Sequence, residues 1–225
     1  MANSSQTSIM WHKNQLPKDT VWALDFFAQQ PWLKRSQWYL AGGTALSLQA
    51  GHRVSVDLDF FIPKADFAAG KLINHFPSTQ WRTTILREGT VYGTLYNAKV
   101  SFIAYPFFQH RQAYHSYGAV KVLDKQDVAV MKIIAISQRG TKRDFVDLYW
   151  FAQYQEPLFD ILLRVGTQYP HVQHNYYHII KSLVYFEDAE DDPMPKLFFR
   201  ATWPTIKTYF RKQVPLLLKQ LKFIE

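Results

Sequence analysis

The sequence predicts an α/β protein, a sheet-bearing lobe over residues 1–123 followed by a helical lobe over residues 124–225. Three observations carry this. Apolar and polar residues alternate through Ser55 to Ile62 and again through Trp81 to Phe107, which is the two-residue period of strands. From Asp124 onward apolar residues recur at helical spacing, as in Val128, Met131 and Ile134. A chain of 225 residues that is 48% hydrophobic is long enough to bury a sizeable core, as one compact unit or two small packed lobes.

The elements follow in order. A helix is expected from Thr20 to Gln30 and a first strand from Gln37 to Ala41. Gly42 and Gly43 break that run, and Thr44 to Ala50 reads as a short helix with Thr44 near its N-cap. The strand Ser55 to Ile62 comes next, with Val56, Leu58, Phe60 and Ile62 turned to a core. Asp66 to Phe76 reads as a helix. Turn residues at Glu88-Gly89 and Asn97-Ala98 divide Trp81 to Phe107 into antiparallel strands, and Ala119 to Leu123 is a last strand. The helix that follows closes at Gly140, and Thr141-Lys142-Arg143-Asp144 opens the next with a capping box, a structural role for Asp144. Asp147 lies on nearly the same face.

The chemistry concentrates around Asp57 and Asp59. In a strand both carboxylates share one face, about 7 Å apart at Cα. Two like charges on a half-buried strand are costly unless a cation sits between them, and Mg²⁺, or Mn²⁺ in its place, is the natural partner. The Gly42-Gly43 turn lets a ligand approach the backbone, and free N–H groups at a helix start attract phosphate. Thirteen residues separate Gly43 from Asp57, so a nucleoside triphosphate is expected between Gly42–Thr44 and the aspartates. Lys132, in the apolar run VAVMKIIAI, shares a helix face with Ala135, Ile136 and Arg139. It either reaches an anion, with both cations turned to the aspartate strand, or snorkels to water.

A formal charge of +8 favours an anionic partner. From Lys196 onward seven basic residues face Glu225 alone. Lys207, Arg211, Lys219 and Lys222 on this stretch read either as an RNA-binding face or as a solvated one. His171, His174 and His178 have helical spacing that suits a metal site, but partly exposed helix positions account for them as well. The acidic patch Glu187 to Asp192 reads as a solvated loop or as a site for a cation or a basic partner. The chain has no cysteine, no stretch approaching a membrane span and no signal-like apolar core near residue 1, so a soluble cytoplasmic protein is expected.

Gly-Gly-Thr followed by Arg53-x-Ser55-x-Asp57-x-Asp59 resembles the DNA polymerase β-like nucleotidyltransferase superfamily, and within it the AbiEii and MenT group, whose members include toxins of bacterial toxin–antitoxin pairs. Asp127 to Leu148 and Ser182 to Pro195 fit the same group in the same order. The resemblance implies a mixed-sheet nucleotidyltransferase lobe with a helical lobe closing over the nucleotide. It implies transfer of a nucleoside monophosphate from an NTP to an acceptor hydroxyl, with the 3′ end of tRNA as acceptor and a cognate antitoxin as partner. It places Asp57, Lys132 and Asp144 in the active site; with the reading of the residues this gives Asp57, Asp59, Lys132 and Asp144 as expected catalytic residues, Asp57 and Asp59 on the metal, and Gly42, Gly43, Thr44, Arg53, Ser55 and Lys132 at the nucleotide. It also brings Tyr185 to Glu190 near the site. One departure stands out: the neighbouring strand, Asn97 to Tyr105, offers Lys99 and Ser101 but no third carboxylate. Two other readings stay open, a degenerate NTP-sensing or RNA-binding module and a protein adenylyltransferase.

Overall fold

The computed structural model describes residues 9–222; residues 1–8 and 223–225, which include the ends of the N-terminal and C-terminal stretches read above, lie outside it. After a 3₁₀ turn at Lys13–Gln15 the elements are α1 (Lys18–Ala28), α2 (Pro31–Arg35), β1 (Tyr39–Ala41), α3 (Gly42–Ala50), β2 (Leu58–Ile62), α4 (Ala69–Ile73), β3 (Trp81–Arg87), β4 (Thr90–Leu95), β5 (Ala98–Ala104), β6 (His115–Tyr117) and β7 (Val120–Val122). Six helices follow: α5 (Lys125–Arg139), α6 (Lys142–Tyr154), α7 (Leu158–Gln168), α8 (Tyr176–Ser182), α9 (Glu187–Glu190) and α10 (Trp203–Leu221). The strands form one mixed sheet in the order β3-β4-β5-β2-β1-β7-β6. β2 runs parallel to β5 and antiparallel to β1, which in turn is parallel to β7. The fold is therefore α/β with a mixed sheet, as the sequence predicts.

The β3–β4–β5 meander follows from its turns. Gly89 takes a φ of 62° between β3 and β4, while Tyr96 and Asn97 take 51° and 65° between β4 and β5, the double left-handed geometry that tight hairpins require. The core forms under β2 and β5, where the cross-strand neighbours Phe60 and Phe102 stack with centroids 4.9 Å apart and Phe27 of α1 meets Phe60 edge-on at 4.8 Å. This anchors β2 from below and leaves its other face to the carboxylates.

Several boundaries differ from expectation. Pro31 starts α2, so the first helix ends at Ala28. β2 begins at Leu58, and Val56 is 41% exposed instead of core-facing. The cause lies in residues 52–54, which pair with residues 196–198 through Val54 N–H to Lys196 O (2.9 Å) and Phe198 N–H to His52 O (2.8 Å). α4 spans Ala69–Ile73 only, because Asp66 anchors the β-hairpin by accepting from Gly89 N–H at 2.9 Å. β6 escapes a periodicity argument because it is three residues long. In α3 the N-cap is Ala41, and Thr44 lies inside the helix with its hydroxyl turned to the β2 approach.

α5 is the centre of the helical layer, packed against α3, α6, α7 and α8, while α10 lies against α6 and α8. α10 buries Ile206, Phe210, Val214 and Leu217, an apolar stripe along one side. Phe102→Ala should destabilise the protein by about 3–5 kcal/mol through the cavity it leaves. A lowered urea midpoint with an unchanged slope checks this, and a shift below about 1 kcal/mol would show that the aromatic stack does not hold β2.

Candidate active site

Gly42, which follows β1, and Asp59 on β2 meet in the middle of the sheet where α3 begins. Gly42 has φ 68°, and a Cβ there would come 3.2 Å from Asp59 Oδ2, so both the turn and the close approach require glycine. A Cβ on Gly43 would lie 2.2 Å from Arg53 Nη2. The Thr44 hydroxyl lies 2.9 Å from Ser55 Oγ and also bonds the Asp57 carbonyl oxygen. Thr44 and Ser55 thus hold the backbone that presents Asp57. Ser101, opposite Asp59 on β5, donates to Asp59 Oδ1 at 2.7 Å. Burial, with Asp57 adding repulsion, pushes the Asp59 carboxyl up despite that hydrogen bond.

Asp57 accepts from Arg143 at 3.0 Å through Oδ2, while its Oδ1 is buried without a hydrogen-bond partner. Sequence reasoning missed Arg143: it sits beside the capping Asp144 in the first turn of α6, and nothing local in the sequence ties it to Asp57, 86 residues earlier.

A second cluster surrounds Asp147, a fully buried carboxylate. Arg53 grips it with two bonds, Nε to Oδ1 at 2.5 Å and Nη2 to Oδ2 at 2.8 Å, and His52 Nε2 lies 2.8 Å from Oδ1. Lys132 Nζ reaches Asp147 Oδ2 at 2.8 Å and Asp144 Oδ1 at 2.7 Å. Asp144 Oδ2 in turn accepts from Thr141 Oγ1 at 2.6 Å and Thr141 N–H at 3.3 Å, so it caps α6 and neutralises Lys132 together. Burial opposes the charge on Asp147, yet Arg53 and Lys132 hold its pKa well below the usual carboxylate range. For Lys132, likewise, burial is outweighed by Asp144 and Asp147, which raise its pKa. Burial lowers that of His52 in spite of Asp147. Two anions and two cations therefore balance around a neutral imidazole.

This geometry excludes the snorkelling reading of Lys132, whose ammonium points inward. Arg139, expected beside it, is exposed and forms no ion pair among the described residues. Arg53 has its third nitrogen on Val54 O at 2.9 Å, so its guanidinium is fully engaged by the protein. The structure thus brings together Gly42, Gly43, Thr44, Ser55, Asp57 and Asp59 as one group, and Arg53, Lys132, Asp144 and Asp147 as its neighbour, joined where Gly43 touches Arg53.

The remaining candidates lie elsewhere. Lys207 pairs with Glu190 at 2.5 Å, Arg211 sits over the Phe186 ring at 5.5 Å, and Lys219 and Lys222 are exposed. The acidic segment is partly structural: Asp192 Oδ2 accepts from Lys142 N–H at 3.0 Å, which ties it to the start of α6 beside Asp144. Residues 171–175 precede α8, so the three histidines lack helical spacing; His174 and His178 instead contact Tyr169 O and Ser137 O. Two hollows beside α10, both lined by Gln153 and Tyr209 and the second also by Lys219, contain none of the residues grouped around Asp57 and Asp147.

The donor set fits a divalent cation that also binds substrate oxygens. Among the described residues no three His, Cys, Asp or Glu side chains form a metal-holding group. Asp57 and Asp59 do supply two carboxylates, one with an orphaned oxygen, which suits Mg²⁺ that completes its shell with water and phosphate.

A family model described as the nucleotidyl transferase AbiEii toxin of a type IV toxin–antitoxin system matches residues 32–89, the segment from α2 to the β3–β4 turn, which includes both aspartates. An uncharacterised protein of Aquifex aeolicus (strain VF5) is 33% identical over 187 residues, spanning 80% of this chain and 87% of that one. Among solved structures, MenT4, a nucleotidyltransferase toxin from Mycobacterium tuberculosis H37Rv, superposes with a TM-score of 0.59 at 15% identity, covering 90% of this chain and 86% of that one. A structure from H. pylori described as a candidate nucleotidyltransferase gives 0.54 at 16% identity, covering 93% and 99%. These two likenesses carry the fold.

Asp147→Asn should cost about 3–5 kcal/mol, because Arg53 and Lys132 would keep buried charge without its counterpart. The folded pKa of Asp147 is depressed, so its contribution is complete above the ordinary value of about 3.9 and is lost as pH falls through the lower folded value. His52 acts earlier. Its folded pKa is also lowered, so below about 6.5 the unfolded chain takes up the proton first and stability declines. Urea titrations from about pH 8 to about pH 2.5 should show both steps for wild type, and the gap to Asp147→Asn should narrow in the second. Asp59→Asn should raise the melting temperature at neutral pH, since it removes a charge that burial and Asp57 disfavour; a lower value would show that Asp59 is not under repulsion.

Proposed function

Because the chain belongs to the AbiEii/MenT-type nucleotidyltransferase toxin family, we propose that it transfers a nucleoside monophosphate from an NTP to an acceptor hydroxyl, the 3′ end of tRNA, as the toxin of a bacterial toxin–antitoxin pair. The observation that carries the reading is the Asp57–Asp59 pair, with its orphaned oxygen, beside the Gly42–Gly43 turn. The acceptor oxygen would bond to the α-phosphorus as the bond from that phosphorus to the bridging oxygen breaks. Pyrophosphate leaves, and the hydroxyl proton goes to solvent.

Each residue has a role in this proposal. Asp57 and Asp59 would hold Mg²⁺ or Mn²⁺, which when bound offsets triphosphate charge and aligns the reacting oxygens. Backbone N–H groups at the start of α3, over Gly42–Thr44, face the β- and γ-phosphates. Thr44 and Ser55 keep Asp57 in place. Lys132 sets a positive field beside the transferred phosphate, and Asp144 orients Lys132. Arg53 supports the Gly43 turn from beneath through its pair with Asp147. Arg143 neutralises Asp57 in the ligand-free molecule and is freed to the triphosphate when the nucleotide arrives. The first group comes from residues 1–123 and the second mostly from 124–225, so closure of a helical lobe on a sheet lobe would complete the site. No described helix is long and apolar enough to cross a membrane, and we place the reaction in the cytoplasm, where NTPs and tRNA are found.

Incubation of the purified protein with each labelled NTP and total cellular RNA tests the reading. Label should appear in tRNA and require Mg²⁺ or Mn²⁺. Label in protein would instead indicate adenylylation of a partner, and no label with any NTP a binding module. Asp57→Ala should abolish transfer while the protein stays folded, and substantial activity at saturating Mg²⁺ would remove Asp57 from the metal site. Lys132→Met should lower the single-turnover rate by about 100-fold or more. It should also lower stability, because Asp144 and Asp147 lose their shared cation.

A further inference from the structure

The face of the sheet that carries Asp59 continues to the β3 edge, passing the buried Ser101 and becoming open to solvent at Tyr92 and Lys99. Direct cross-strand pairs share a face, so Asp59 is followed by Ser101 on β5 and Tyr92 on β4. Lys99 stands two residues before Ser101 on that same face and continues through Thr94 to Arg82 on β3, with Arg87 farther along the strand. Lys99, Arg82 and Arg87 are all exposed, and none forms an ion pair among the described residues. Tyr92 is 38% exposed and stacks on no other ring among the described residues. Asp57 turns to Arg143 and leaves Lys99 free.

Charges on an exposed edge strand also discourage strand addition. That accounts for Arg82 and Arg87 but not for Lys99, which lies on β5 between β4 and β2. α10, the other basic surface, has Lys207 already on Glu190 and Arg211 over Phe186. The sheet face combines unpaired cations with an unstacked aromatic ring and leads directly to the two carboxylates. Cations at strand spacing suit successive phosphates, and a free ring suits an unpaired base.

We propose that this face binds the single-stranded 3′ end of a polynucleotide, with phosphates on Lys99, Arg82 and Arg87, a base stacked on Tyr92, and the terminal hydroxyl delivered to Asp57 and Asp59. The proposal deepens the transfer reading and rests on it for the direction in which the strand lies. Binding itself is measured without transfer. The probes are 5′-labelled oligonucleotides of about 12 units, as single-stranded RNA, single-stranded DNA and duplex RNA, followed by fluorescence polarisation in EDTA without NTP.

Single strands should bind more tightly than the duplex, and the RNA and DNA arms identify which sugar the face prefers. The variant carrying Arg82→Ala, Arg87→Ala and Lys99→Ala should bind at least about tenfold more weakly, with a log–log salt slope reduced by about 2, roughly 0.7 for each lost phosphate contact. Tyr92→Ala alone should weaken binding by about tenfold. All four side chains are on the surface, so melting temperatures should stay near wild type, and NTP binding should not change. Unchanged affinity and salt slope in the triple variant, preference for the duplex, or no binding of either single strand by wild type would overturn the proposal. If the surface variants lose oligonucleotide binding while no acceptor is ever labelled, the surface stands and the transfer reading fails.

Discussion

The buried carboxylate of Asp147 is the constraint on which the rest of the site depends. It is fully buried and is tolerated because His52 and Arg53, adjacent in one segment, and Lys132 from α5 converge on it. Each partner then fixes something further. Arg53 packs under Gly43 and so determines the glycine turn. Lys132 ties α5 to the start of α6 through Asp144. His52 places the backbone that pairs with residues 196–198. A charge cluster of this kind adds little net stability over an apolar core, but it admits few alternative arrangements, which is what a site needing fixed geometry requires.

The glycines illustrate how one residue can answer two demands. Gly42 is read from sequence as permitting phosphate approach, and the structure adds a steric reason, the Asp59 carboxylate lying where a side chain would go. At Gly43 the demand comes from within the protein, since the guanidinium of Arg53 fills the space. Ser101 is similar. It stands at the register position where a third strand carboxylate would face Asp59, and it supplies a hydrogen bond instead of a third negative charge.

What was legible in the sequence was local. The strand period exposed the Asp57–Asp59 pair, the glycines marked the turn, and the tight turns of the meander were named from their residues. Lys132 was noticed because an ammonium in an apolar helix needs an explanation. Its partners were not, because contacts such as Arg53 to Asp147 and Arg143 to Asp57 join residues 94 and 86 positions apart with no shared periodicity. Nothing local in the sequence sets Asp147 apart from other helix acids or singles out His52. Element boundaries shifted where a tertiary contact overrode local pattern: the pairing of residues 52–54 shortened β2, and Asp66 left its helix to hold the hairpin. β6 was too short for any period to register.

The long reach of the Arg53–Asp147 pair also sets an order of assembly during synthesis. When β1 to β5 have left the ribosome, the sheet's carboxylates exist, but the guanidinium beneath Gly43 has no counter-charge until α6 follows. Contacts so distant in sequence form late and slowly. A nascent chain therefore carries an unfinished glycine turn until Asp147 has emerged, and the turn takes its final shape only when that distant ion pair closes.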